Sequence, residues 1–125
     1  MINIKEIKEK CPKAYELLRQ YIGNSLVEMQ KRMSNNVGSV KIEEIPPVDD
    51  RIIEGILVWN QRSLYSFFDK NKVLLLLDGP DEMHGWSWQI RAKDVVNDTK
   101  AHSDVREVCE DEGFTECFNQ LEKQL

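Results

Sequence analysis

The sequence predicts an α+β fold in a single domain over residues 1–125: helices packed on a small antiparallel sheet, built around a β-hairpin at about residues 72–91, with a helical C-terminus. Three stretches carry that expectation. Residues 73–77 read VLLLL, an unbroken apolar run of strand length, shorter than most helices. Residues 86–91 read WSWQIR, so Trp86, Trp88 and Ile90 face one way and Ser87, Gln89 and Arg91 the other. Residues 49–70 place Ile53, Ile56, Leu57, Asn60, Leu64, Phe67 and Phe68 on one side of a helix at about 100° per residue. Between the two strand signals, residues 78–85 (DGPDEMHG) predict a tip longer than the usual two-residue turn.

From the N-terminus, Ile4 and Ile7 sit in a charged stretch and predict a short first turn of helix. Pro12 suits the first position of a helix, because its missing N–H has no partner there anyway. Ala14, Leu17, Leu18, Tyr21 and Ile22 then form an apolar stripe. Gly23 and Asn24 predict a stop and a fresh start. Leu26, Met29 and Met33 give the second helix a core stripe, which Ser34, Asn35, Asn36 and Gly38 end. A short strand is expected over residues 39–45, where Val40 and Ile42 alternate with lysine and glutamate, extending the hairpin to three strands. Pro46 and Pro47 stop it.

Asp49 or Asp50 suits the cap of the next helix. The unbroken stripe favours one helix through residue 70, with Asn60 as the place for a break. The isoleucine and valine of residues 51–59 support a competing strand reading. Asn71 is expected as the left-handed stop. The polar residues 92–102 read as loop. Ser103 or Asp104 is expected to cap the last helix, Asp104 forming a capping box with Glu107. In that helix Val105, Val108 and Cys109 make one stripe and Phe114, Cys117, Phe118, Leu121 and Leu125 another, nearly opposite. One straight helix does not bury both against one surface, so a kink near Gly113 is expected.

The charge is unevenly placed. The net charge is −5, and residues 104–125 hold seven carboxylates against Arg106 and Lys123, which accounts for all of it. A segment of that sign repels phosphate, so no nucleic-acid binding is expected, and a solvated acidic face is the simplest reading. A sharper one is an acidic inhibitor that mimics nucleic acid with its last helix. Cys11, Cys109 and Cys117 are odd in number and lack metal-site spacing, which predicts reduced, buried thiols. No apolar run reaches membrane-spanning length, and the opening MINIKEIKEK lacks a secretion signal, so the expectation is a cytoplasmic protein with no membrane partner.

No catalytic motif is present: no Gly-x-Ser-x-Gly, no phosphate-binding glycine loop, no dinucleotide fingerprint and no zinc-protease helix. The tip residues Asp78, Asp81, Glu82 and His84 include hard-cation ligands but match no metal-loop spacing, so no metal or cofactor is assigned. Trp59, Trp86 and Trp88 are ligand-site candidates beside His84, although indoles at alternating positions are ordinary strand residues, and Trp86 and Trp88 are expected to pack on the helix of Leu64, Phe67 and Phe68. Leu74 and Leu76 pose the remaining question. Their strand is apolar on both faces and its neighbour on one only. They are expected under the N-terminal helices; left open with Ser87, Gln89 and Arg91, they form a patch for a protein partner or a homodimer.

The order RSLYSFFDKN (residues 62–71), apolar strand, tryptophan-bearing strand and a last helix ending CFNQLEKQL resembles small proteins encoded by bacterial phages and prophages. That resemblance covers about the second half of the chain and implies no residue roles. The function expected is a non-catalytic accessory or protein-binding module, with the acidic inhibitor and a small metal-binding protein or enzyme using the tip loop as alternatives.

Overall fold

The computed structural model describes residues 2–37, 48–81, 85–92, 95–98 and 103–125. Its elements are α1 (Ile4–Lys10), α2 (Pro12–Val37), α3 (Asp50–Asn60), α4 (Ser63–Lys70), β1 (Val73–Asp81), β2 (Gly85–Ala92), β3 (Val95–Asp98) and α5 (Arg106–Gln124). The three strands form one antiparallel sheet in the order β1-β2-β3. The α+β reading, the hairpin and the helical C-terminus are all present. β3 corrects the expectation of loop over residues 92–102: Val95 pairs with Ala92 and Asp98 with Gln89. The strand expected over residues 39–45 lies outside the described residues.

Short polar contacts set the helix boundaries. The Asn3 side chain accepts the Glu6 N–H at 3.2 Å and starts α1. Cys11 separates α1 from α2, and Pro12 is the first residue of α2, where its lost N–H costs nothing. The break expected at Gly23 is absent. Gly23 does not take a positive φ, and a Cβ there would lie 3.6 Å from Val48, so this glycine sits at a helix contact inside an unbroken helix. Met29 is exposed, against its expected place in the core.

Residues 51–59 are helix, which removes the strand reading, and the helical stretch over residues 49–70 divides in two just after Asn60, the expected place for a break. Asp49 caps α3 by accepting the Ile52 N–H at 3.0 Å. At the break, Gln61 accepts the Ile2 N–H at 3.2 Å and donates to Asp111 at 2.6 Å, so the junction ties the N-terminus to α5. Ile53, Leu57, Leu64, Phe67 and Phe68 are all buried, as their common phase requires. Lys72, with φ 62°, takes the left-handed position expected at Asn71, whose amide donates to the Phe67 carbonyl at 2.8 Å instead.

The core lies between the helices and one face of the sheet. α4 packs on β1, and α5 packs on both β1 and β2. Phe67 and Phe68 of α4 meet Phe114 and Phe118 of α5, with Phe68 edge-on to Phe118 at 4.9 Å between centroids. Burying each of these rings contributes roughly 1.5–3 kcal/mol.

α5 runs without a break through Gly113, against the expected interruption there. The helix buries Phe114, Cys117, Phe118 and Leu121 with Cys109, and leaves Val105 and Val108 in solvent at 49% and 53% exposure. Gly113 is a contact point, since a Cβ there would lie 2.8 Å from Leu75 Cδ1. The expected capping box is also absent: Val105 is the capping position, and Ser103 Oγ accepts its N–H at 3.1 Å.

Candidate functional site

The two faces of the hairpin have different fates. Across the β1–β2 ladder, Val73, Leu75 and Leu77 oppose Ala92, Ile90 and Trp88, and these six point at the helices. The alternate rungs are Leu74 with Arg91, Leu76 with Gln89 and Asp78 with Ser87. Because side chains alternate along a strand, these six share the opposite face. Leu74 is 40% exposed and Leu76 38%. The N-terminal helices therefore do not cover them: α2 packs on α5, and α1 on α2 and α5, behind the helical layer. The outer face has an apolar centre of two leucines. Arg91, whose Nε donates to Gln89 at 2.8 Å, and Asp78 lie around it. An apolar centre with a polar rim is the usual build of a protein-binding surface. β1 is also an edge of the described sheet, where strand addition takes place.

The tip is shorter than expected. Pairing continues to Asp81 and Gly85 after a register shift between Asp78 and Asp81, which leaves three residues between the strands. Gly85 has φ +74°, and a Cβ there would lie 2.5 Å from the Ser103 carbonyl oxygen. Trp86 exchanges two backbone hydrogen bonds with Ser103 at 2.7 and 3.1 Å, so only glycine fits this close pass before α5. His84 lies outside the described residues. Among the described residues, no group of three or more histidines, cysteines or acids is placed to hold a metal.

The four described candidate positions do not converge on one site. Leu74 and Leu76 are on the outer face, while Trp86 and Trp88 are on the helical one. The tryptophans contact α5 and join the same core cluster as Leu64, Phe67 and Phe68. Trp88 Nε1 donates to Glu112 at 3.0 Å, and the Arg106 guanidinium lies 5.3 Å from the Trp86 ring centre. Trp59 is apart from both, 91% exposed on α3. Its place outside the α3 stripe is the sequence signal for that exposure. Val58 beside it, 65% exposed, went unnoticed among the apolar residues of the same helix.

The acidic helix does not present one face. Glu110 is buried and accepts the Tyr65 hydroxyl at 2.9 Å. Asp111 accepts from Gln61, and Glu112 from Trp88. Glu122 accepts the Ala14 N–H at 2.8 Å and the Lys13 N–H at 3.4 Å at the start of α2. Burial, then the Glu110 hydrogen bond, pushes the Tyr65 hydroxyl well above the ordinary tyrosine range. Cys11, Cys109 and Cys117 are buried free thiols, and burial pushes all three up, Cys117 most. Thiols of this kind are poor nucleophiles.

No family model, no curated protein and no solved structure matches the chain. No described helix is long and apolar enough to cross a membrane.

Proposed function

We propose that the protein is a non-catalytic binding module that holds another protein, or a second copy of itself, against the outer face of its sheet. The observation that carries this reading is the uncovered pair Leu74 and Leu76 on an edge strand whose other face is core. A domain normally covers such a pair with its own elements, and an uncovered one gains from a partner. The raised, buried thiols favour the same reading over a covalent enzyme. The nucleic-acid-mimic reading loses support, because four of the seven C-terminal carboxylates are hydrogen-bonded to the protein's own groups.

The test is affinity capture from an extract of the cells that make the protein, comparing wild type with a Leu74→Lys/Leu76→Lys double variant. Both side chains lie outside the core, so the variant still folds, and its unfolding midpoint is measured alongside to show that it does. The expected result is a discrete protein, or a second copy, retained by wild type and lost from the variant. Equal retention by both, or no retention by either, contradicts the reading.

A further inference from the structure

A second surface, independent of the sheet, lies where the C-terminal end of α3 meets the first turns of α5. An open depression of about 520 Å³ there is lined by Val58, Trp59, Arg62, Glu107, Glu110 and Asp111, with parts of their neighbours. Folding does not call for an indole at this position. α3 buries Ile53 and Leu57 on its other side, and Trp59 is 91% exposed. Tryptophan is among the residues most enriched at the energetic centres of protein interfaces.

The charge of the lining selects the occupant. Three carboxylates line the depression against one guanidinium, that of Arg62. Glu110, at 7% exposure, spends one oxygen on the Tyr65 hydroxyl, and Glu107 is open at the rim. An indole face attracts cations electrostatically, and the stem of lysine or arginine packs on apolar surface while its head stays in reach of carboxylates.

We propose that this depression docks a short basic segment of a partner protein, an arginine or lysine lying across Trp59 with its charge toward the carboxylates of α5. The probe is a short peptide alternating leucine and arginine, titrated into isotopically labelled protein and followed by the tryptophan indole signals. The control is the same peptide with glutamate in place of arginine. The Trp59 indole signal moves with the arginine peptide, while those of Trp86 and Trp88 stay. Affinity falls roughly threefold to tenfold in Trp59→Ala and in Glu107→Lys, and falls again as salt is raised. Trp59 is exposed and outside the core, so Trp59→Ala keeps the wild-type unfolding midpoint, while Glu107→Lys, which places a cation in the first turn of α5, lowers it slightly without unfolding the protein. The proposal is overturned if the arginine peptide leaves Trp59 unmoved at millimolar concentration, if the glutamate peptide binds as well, or if Trp59→Ala binds undiminished. Shifts centred on Leu74 and Leu76 instead would place the basic segment on the sheet and overturn it equally.

Discussion

Asp50 is the residue on which three helices meet. It opens α3, accepts the Tyr15 hydroxyl of α2, and lies 3.0 Å from Lys8 Nζ of α1. The Tyr15 hydrogen bond, then that of Lys8, holds its carboxyl below the ordinary aspartate value. A carboxyl depressed in the folded state stabilises at pH above its unfolded value, and that contribution is lost as pH falls through the folded one. Asp50→Asn is therefore expected to lower the unfolding midpoint at neutral pH, with the gap to wild type closing below about pH 4. Thermal melts across pH 3–7 check this, and a gap that does not change with pH contradicts it. The thiols give a second test at this scale. Cys11, Cys109 and Cys117 are buried and their thiols pushed up, so alkylation in native buffer is expected to follow unfolding, with Cys117 the slowest. Mass spectrometry of labelled protein against urea concentration measures it, and fast labelling without denaturant would refute it.

Among the elements, α5 is the one that joins everything else. Gly113 lets it approach β1, and its neighbours fill the space that a larger residue would need. Gly113→Val is expected to cost about 1–3 kcal/mol by overpacking. Gly113→Ala is expected to stay within about 1 kcal/mol of wild type, since the atom in its way is the movable end of Leu75 and helix propensity favours alanine by a similar amount. Urea unfolding separates the two, and equal losses would mean that the Leu75 side chain cannot move aside. At its other end, Glu122 caps α2, which has no acidic residue in its own first turn. Glu122→Ala is expected to lower stability by about 1 kcal/mol, measured in the same way. Sequence periodicity located these elements well, because burial stripes at residues 53–68 and 114–121 depend on local spacing. It misjudged their ends and breaks. Gly23 reads as a stop although the helix runs through it, and Gly113 reads as a kink when its small size serves Leu75, distant in sequence, and a long-range contact leaves no local pattern. The opposed stripe at Val105 and Val108 is simply left in solvent, which periodicity alone does not distinguish from a kink.

At the scale of the whole molecule, α4 and α5 pack on one face of the hairpin, and among the described residues Leu74 and Leu76 on its other face stay partly exposed. The hairpin was legible in full alternation, including which residues share a face with Leu74 and Leu76. Whether that face is covered was not, because coverage depends on where α1 and α2 pack, and they pack on α5 and each other. The same holds for Trp59, whose exposure follows from its phase on α3 but whose acidic surroundings come from α5 across the fold. The central claim is that the uncovered sheet face is where this protein meets its partner. The most direct measurement places a photoreactive benzophenone residue at Leu76 and, as control, at exposed Glu54 on α3, and irradiates cells making each variant. The account predicts a discrete heavier cross-linked species from position 76 and none from position 54. No species from position 76, or the same pattern from both, would contradict it.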